Sequence, residues 1–235
     1  LDSISMMYDQ LHETTDPALD SGAITLASWQ NDVPFTYQDY TMRNWWGNDL
    51  WLGRCTARMA IAYSMNVVSA SFMVNEVGIE EAFEALEDFG FTSLVRSETI
   101  GGKVYTDLGP ALCLGSLTKG VNLLELTDAF AAIANSGTYI EPVFYTKITD
   151  HDGNVLLDKT QETRRVIQPS TAYLLTQAMA DSMTDQQAKG TWVNSSSASA
   201  ALEGMPAAGK SGTSTDSTGK GRDYWFVGYT NYYTM

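Results

Sequence analysis

The sequence predicts an α+β domain, in which helices pack on antiparallel strands. Between Thr56 and Val77 the apolar residues recur at spacings of three and four, which is the period of a helix. Apolar and polar residues alternate on both sides of Asp152-Gly153, a pattern typical of a β-hairpin. The C-terminal segments 205–213 and 223–230 are β-like and flank a turn rich in Ser, Thr, Gly and Lys. These patterns favour separate helical and strand regions in one fold.

The remaining elements follow from residues that start and stop helices. A first helix is expected within residues 3–19, followed by an irregular, aromatic-rich connection over residues 20–53, whose tryptophans either cover a groove or pack beneath a loop. Gly90 ends one later helix, Gly137 ends a second, and Pro169 begins a third. The predicted ranges of these helices are 80–88, 123–134 and 169–179, and a glycine-punctuated loop connects the first two. The hairpin strands are predicted over residues 143–150 and 154–158. Residues 195–201, which are rich in Ser and Ala, are predicted to form a flexible loop.

Ser64 and Asn66 lie near the middle of the long predicted helix. Side chains two residues apart diverge on a regular helix, so they can face one cavity only where the helix is broken or ends. The triplet Ser64-Met65-Asn66 therefore predicts a kink at this point. The simplest alternative is two polar residues on a helix face.

The composition narrows the classes of function. The 235 residues are 44% hydrophobic, enough for one large core, so we expect a single domain over residues 1–235. A formal net charge of -14 argues against nucleic acid or an anionic membrane surface as a partner. Cys55 and Cys113 lack metal-ligand spacing and are expected to be buried free thiols, so neither a metal nor another cofactor is predicted. His12 and His151 lie in polar segments, which argues against a histidine base.

Residues Gly204–Ser211 match the Gly-x-x-x-x-Gly-Lys-Ser pattern of a phosphate-binding loop. Such a loop needs an apolar strand before it and a helix directly after it, because the helix N-terminus holds the phosphate. No apolar strand pattern precedes Gly204, and a stretch with low helix propensity follows Ser211. Nucleotide binding is therefore kept only as an outside alternative.

The run Lys210-Ser211-Gly212-Thr213 also fits a serine acyltransferase. In that chemistry a nearby lysine activates the nucleophile, while further polar groups carry protons and hold the substrate. A strand lysine supplies a positive field for a substrate carboxylate, and the small residues Ser211 and Gly212 let a peptide backbone approach. The run is therefore predicted to be a strand that lines a peptide groove.

The order of these motifs and their flanking residues resemble the transpeptidase domain of class A, or bifunctional, penicillin-binding proteins. Arg58–Asn66 resembles the family's Arg-Glu-Ala-Leu-Ala-x-Ser-x-Asn stretch, and Leu114–Asn135 resembles its Leu-Gly-Gly-Leu-Thr-x-Gly-Val helix region. Gly204–Tyr233 is similar to the family's Lys-Thr/Ser-Gly strand followed by Trp-Phe-Val-Gly-Tyr-Thr. The resemblance covers about residues 16–235.

The resemblance implies the fold of penicillin-binding proteins and serine β-lactamases, an antiparallel sheet flanked by helices plus a helical subdomain. It implies a catalytic role for Ser64 as a proton shuttle near the nucleophile, for Asn66 as hydrogen-bond partner of the substrate amide, and for Lys210 in the proton network. Substrate binding is implied for Ser211, Gly212 and Thr213, the last through its side chain and through a backbone amide of the oxyanion hole.

One motif of the family is missing. The Ser-x-x-Lys nucleophile motif should lie just before residues 16–22, but neither Ser3 nor Ser5 has a lysine three residues later. General-base activation of either serine is therefore unsupported. A literal Ser-x-x-Lys occurs at Ser116–Lys119, but it follows Ser-x-Asn instead of preceding it and is rejected. The nucleophile is left unassigned, with Ser3 and Ser5 as candidates, and a catalytically inactive relative that binds a peptide or partner is the alternative function.

The resemblance also implies partners and a location. The reaction would be acyl transfer from a D-alanyl-D-alanine stem peptide of peptidoglycan to an acceptor amine, in a site that also binds β-lactams. The location would be the bacterial cell envelope outside the cytoplasm, with membrane attachment only through a segment outside this chain. The family's domain has strands before residue 1 and after residue 235, so we expect either an excerpt of a longer chain or a fold that is cut back at both ends. The strand 223–230 would then offer an edge for pairing with another chain.

Overall fold

The chain forms groups of helices and separate antiparallel strand pairs, which confirms the predicted α+β class. The computed structural model describes residues 16–47, 49–184, 186–215 and 221–235. The first helix, α1, spans Asp16–Asp20. The rest of the helix predicted near the N-terminus, together with Ser3, Ser5 and His12, lies outside the described residues.

Four short strands occupy the region that was predicted to be irregular. Each has only three or four residues, too few to show a period-two pattern in the sequence, and the prediction was wrong for that reason. The strands form two antiparallel pairs, in which β1 (Trp29–Asp32) pairs with β4 (Gly53–Thr56) and β2 (Phe35–Tyr37) pairs with β3 (Tyr40–Met42).

The long predicted helix is broken at Ser64, as its Ser-x-Asn triplet predicted. Helix α2 (Ala57–Tyr63) ends where Ser64 adopts a left-handed backbone, with φ 56° and ψ 54°. Helix α3 (Asn66–Phe72) begins two residues later and continues into a π-helical turn, Met73–Val77. The break turns the polar side chains at both of its ends toward the same space.

The central part of the chain contains the other predicted helices and three further strand pairs. The helices are α4 (Ile79–Asp88), α5 (Leu123–Ala134) and α6 (Pro169–Ser182), close to the predicted ranges. The glycine-punctuated loop, by contrast, contains a hairpin and a short 3-10 turn at Leu112–Leu114. The antiparallel pairs are β5 (Glu98–Ile100) with β6 (Lys103–Tyr105), β7 (Thr138–Ile140) with β10 (Thr163–Arg165), and the predicted hairpin of β8 (Lys147–Thr149) with β9 (Val155–Asp158).

The C-terminal hairpin lies against the helices. Its strands β11 (Ala208–Thr215) and β12 (Gly221–Tyr229) are antiparallel. Helix α6 packs against β11 and helix α5 packs against β12. Met235 and Gly228 exchange two backbone hydrogen bonds of 2.9 Å on the other side of β12. The end of the described chain thus covers one position of the edge that was expected to be open.

The buried apolar residues form a continuous core beneath α2, α3, α5 and α6. Its largest fully buried side chains include Phe83, Phe89 and Phe130. Cys55 and Cys113 are buried free thiols, as predicted, and burial raises the pKa of the Cys55 thiol to about 12. Within the described residues, no helix has both the length and the apolar character needed to cross a membrane.

Gly137, just after α5, lies so close to the backbone at Ile167 that a larger residue cannot fit without a shift. A Cβ atom at Gly137 would lie 2.1 Å from the carbonyl oxygen of Ile167, and the residue has a φ of +82°. We expect Gly137→Ala to lower the free energy of unfolding by about 1–3 kcal/mol in urea titrations. Gly153→Ala is the matched control, because Gly153 has a φ of +84° but a Cβ atom there would meet nothing within 4 Å. Equal losses in the two variants would show that backbone strain alone, and not the contact with Ile167, restricts this position.

Candidate active site

A cavity of about 760 Å³ opens between the α2–α3 break and strand β11. It contains five of the six residues for which the resemblance implies a role, and the sixth, Lys210, is buried directly behind it. The candidate nucleophiles Ser3 and Ser5 lie outside the described residues. The lining residues are Trp45, Ser64, Asn66, Trp192, Asn194, Ser195, Ser196, Ser211, Gly212 and Thr213. Motifs that are far apart in the sequence therefore meet in one place.

Lys210 joins the two walls of this cavity. Its Nζ donates a hydrogen bond of 2.8 Å to Ser64 Oγ, across 146 positions of sequence, and another of 2.7 Å to the carbonyl oxygen of Ser211. The side chain is completely buried, and burial lowers the pKa of Lys210 to about 7 because the charged amine loses its hydration. An amine with such a pKa can accept a proton from a hydroxyl and return it near neutral pH.

The backbone around Ser64 explains how its hydroxyl reaches Lys210. Left-handed backbone at a non-glycine residue carries a conformational cost, which the surrounding structure must offset. Met65 follows in extended conformation with its side chain fully buried, so it anchors the break in the core. Asn66 then begins α3, and its Nδ2 donates a hydrogen bond of 2.9 Å to the carbonyl oxygen of Arg43.

A buried polar pair supports this end of α3. Asn44 Oδ1 accepts a hydrogen bond of 3.1 Å from Val67 N, and Asn44 Nδ2 donates one of 2.7 Å to Asp32 Oδ1. The other oxygen of Asp32 accepts from Leu52 N at 2.9 Å. Burial raises the pKa of the Asp32 carboxyl, while these two donors oppose that rise. Neither residue was predicted to belong to the site, because an isolated Asp and Asn in a segment without a regular pattern give no local signal.

Strand β11 presents the Lys-Ser-Gly-Thr run to the cavity. Lys210 points inward while Ser211, Gly212 and Thr213 line the opening, and Thr213 is exposed. Because Lys210 and Ser211 lie inside an eight-residue strand that continues to Thr215, where a phosphate-binding loop would begin its helix, the phosphate-loop alternative is wrong. The run is a strand beside a groove, as the acyl-transfer interpretation predicted.

Two exposed tryptophans form the rim of the cavity. The Trp45 and Trp192 rings meet edge to face, with centroids 5.9 Å apart and planes at 81°. Trp45 is held by its Nε1, which donates a hydrogen bond of 3.0 Å to the carbonyl oxygen of Tyr63. Of the two roles considered for these aromatic residues, Trp45 covers the groove, whereas Trp46 and Trp51 pack against the core. Trp192 carried no recognisable signal in the sequence.

The Ser/Ala-rich segment is also part of the site. It was predicted to be a flexible loop, but Ser195 and Ser197 are buried and Ala198–Ala200 forms a 3-10 turn. Composition alone misled that prediction, because serines favour exposed loops unless the surrounding structure offers them hydrogen-bond partners. Three consecutive serines shortly before a predicted groove strand were the signal that could have revealed this role.

The literal Ser-x-x-Lys is separate from the cavity. Ser116 is exposed and does not line the cavity, and Lys119 forms an ion pair with Glu98. His151 is exposed at the tip of the β8–β9 hairpin beside Asp152. In the described ranges no group of three or more His, Cys, Asp or Glu side chains is placed to hold a metal ion.

A comparison with protein families matches residues 14–234 to the family described as "Penicillin binding protein transpeptidase domain". Among similar curated proteins, Penicillin-binding protein 1F of Bacillus subtilis (strain 168) is 32% identical over 216 residues, which are 91% of this chain and 27% of that protein. Penicillin-binding protein 4 of the same strain is 30% identical over 234 residues, 97% of this chain and 34% of that protein. The chain thus spans about a third or less of the length of these relatives.

Solved structures share the fold at lower sequence identity. The penicillin-binding protein PonA1 from Mycobacterium tuberculosis superposes with a TM-score of 0.74 at 22% identity, covering 97% of this chain and 57% of that one. The imipenem acyl-enzyme complex of penicillin-binding protein A from M. tuberculosis gives a TM-score of 0.69 at 18% identity, covering 98% and 54%. These similarities support the predicted fold class.

Proposed function

The chain belongs to the transpeptidase domain family of penicillin-binding proteins, and we propose that it catalyses acyl transfer from stem peptides that end in D-Ala-D-Ala. The observation that carries this proposal is the buried Lys210 amine, which donates to Ser64 Oγ at 2.8 Å behind a peptide-sized cavity. Burial makes this amine a proton acceptor near neutral pH, as an acyl transfer requires.

In the proposed reaction a serine Oγ attacks the carbonyl carbon of the penultimate D-Ala, and the terminal D-Ala leaves as an amine. The serine proton passes through Ser64 and Lys210 to that leaving nitrogen, and an ester to the enzyme remains. An acceptor amine then attacks the ester, gives up a proton along the same path and restores the serine hydroxyl. The product is a new amide bond between two peptides.

The cavity residues would hold the peptide during these steps. Asn66 would contact the peptide amide, while Ser211 and Thr213 would bind the terminal carboxylate. The backbone amide of Thr213 would stabilise the oxyanion that forms on the attacked carbonyl, and Gly212 leaves room for the peptide backbone. We place this activity in the bacterial cell envelope outside the cytoplasm, with peptidoglycan as the substrate and β-lactams as inhibitors of the same cavity.

A peptide-binding module without catalytic activity is the second candidate. The first lysine in the sequence is Lys103, so residues 1–102 contain no Ser-x-x-Lys motif. The nucleophile is unassigned, and neither of the candidates, Ser3 and Ser5, has a neighbouring lysine in the sequence to lower its pKa. The substrate-holding residues of the cavity do not depend on that motif.

Labelling with a fluorescent penicillin, followed by peptide mapping with mass spectrometry, tests the proposal. We expect a covalent adduct on Ser3 or Ser5. An adduct on Ser64 would make that residue the nucleophile and not the proton shuttle, and an adduct on Ser116 would place the chemistry outside the cavity. A folded protein that binds a D-Ala-D-Ala peptide but forms no adduct would support the peptide-binding module instead.

A further inference from the structure

The three consecutive serines Ser195–Ser197, which we call the serine segment, connect both walls of the cavity. Ser196 N donates a hydrogen bond of 2.9 Å to the carbonyl oxygen of Ala62, two residues before Ser64. Ser197 N donates one of 3.1 Å to the carbonyl oxygen of Ser182 at the end of α6. The segment is therefore tied to α2 and α6 before it reaches strand β11.

Ser197 bonds directly to the strand residue that faces the substrate position. Its Oγ accepts a hydrogen bond of 2.9 Å from Ser211 N and donates one of 3.3 Å to Ser211 Oγ. Ser211 Oγ in turn donates to the carbonyl oxygen of Ser196 at 2.8 Å. Ser197 is only 1% exposed, so it does not line the cavity and cannot contact a peptide itself.

The strand is also held two residues before Ser211. Ser182 Oγ, which is completely buried, lies 2.8 Å from the carbonyl oxygens of both Gly209 and Met179 and shares its one hydrogen between them. Since the carbonyl oxygen of Ser182 also accepts from Ser197 N, the helix end, the serine segment and β11 form a closed ring of hydrogen bonds. Such a ring fixes the backbone and the hydroxyl of Ser211 together.

We infer that Ser197 is a positioning residue, which sets the orientation of Ser211 and thereby the affinity of the cavity for a peptide carboxylate. This inference rests on the proposed function, because it takes Ser211 as a carboxylate contact. Without the Ser197 hydroxyl, Ser211 N would lose its acceptor and Ser211 Oγ would lose a donor that holds one rotamer. To bind the carboxylate, the single O–H of Ser211 has to turn away from the carbonyl oxygen of Ser196, while the hydrogen bond from Ser197 Oγ keeps the Ser211 oxygen in place. Without Ser197 that oxygen would have to be ordered when the carboxylate binds, which weakens binding.

The test compares an N-acetylated peptide ending in D-Ala-D-Ala with the same peptide as a C-terminal carboxamide. We expect Ser197→Ala to weaken binding of the acid about tenfold in calorimetry, the usual cost of one lost buried hydrogen bond. Binding of the carboxamide should change less than about twofold. Ser199→Ala is the matched control, because Ser199 lies in the same stretch but is exposed, and it should leave both affinities unchanged.

A double-mutant cycle separates positioning from a general structural effect. If Ser197 acts through Ser211, Ser197→Ala should cost less than about twofold in a Ser211→Ala background. Equal weakening of acid and carboxamide, or full additivity in the cycle, would overturn the inference while leaving the proposed function intact. A parent protein that binds neither peptide and does not react with penicillin would instead reject the proposed function, and the inference with it.

Discussion

Lys210→Met is expected to lower the second-order rate constant for penicillin acylation by about a thousandfold, without unfolding the protein. The Lys210 amine is buried and donates to Ser64 Oγ, so its removal takes away the proposed proton acceptor of the site. Methionine has a similar length and no charge. Losing two hydrogen bonds to neutral oxygens is offset by removing the cost of burying an ammonium, so the free energy of unfolding at pH 6 should change by less than about 1 kcal/mol.

A second lysine provides the control for the replacement. Lys189 is exposed in the loop that leads to the cavity, and Lys189→Met makes the same side-chain replacement outside the cavity. We expect this variant to react with penicillin at the parent rate and to unfold at the parent denaturant concentration. A Lys210→Met protein that is folded and still reacts within about tenfold of the parent would show that proton transfer takes another route.

The second large effect is on the pH dependence of acylation. Burial lowers the pKa of Lys210 to about 7, and only the neutral amine can accept a proton. We therefore expect the rate of penicillin acylation to fall about tenfold per pH unit below a midpoint near pH 7, and to level off above it. A series of stopped-flow or gel-based labelling experiments from pH 5 to 9 measures this dependence of the acylation rate on pH. A flat profile over that range would exclude Lys210 as the base.

The protonation of Lys210 should also make the free energy of unfolding depend on pH, and its lowered pKa determines the direction of that dependence. The folded pKa of about 7 lies below the ordinary value of 10.5, so the unfolded chain binds more protons between these two values. Stability therefore rises with pH from about 7 to 10, and the full cost of burial is present below pH 7. The difference in unfolding free energy between the parent and Lys210→Met isolates this contribution, since other titrating groups are common to both proteins. This difference should shift in favour of the parent as the pH rises.

Several features of the fold could be predicted because their causes are local. Helix α5 begins and ends at the predicted residues, since Asn122 caps its start and Gly137 follows its end. The break at Ser64 followed from the chemistry of two side chains that have to face one cavity. The strands β1 to β4 could not be predicted in this way, because each has only a few residues. In addition, β1 pairs with β4 across the whole β2–β3 hairpin, and the Gln38-Asp39 turn of that hairpin has no glycine or asparagine to mark it.

The residues of the candidate site also differ in whether the sequence alone could reveal them. Ser64, Asn66 and the Lys210–Thr213 run were found from their motifs and from resemblance to a family. Asp32, Asn44, Trp192 and the serine segment were not, since each acts through partners that are distant in the sequence. A serine or an asparagine outside a recognised motif can be given a role only when its neighbours in space are known.

The sequence by itself determined the class of the fold and the side chains available for chemistry, because the spacing of apolar residues, the turn residues and the order of the motifs can be recognised without knowing any contact in space. Only the tertiary structure decided that Lys210 and Ser64, 146 positions apart, are in hydrogen-bond contact. It also decided that the lysine is completely buried, and burial is what changes its pKa from that of a surface cation to that of a base. The identity of a residue fixes its possible protonation states, whereas the surrounding packing selects between them.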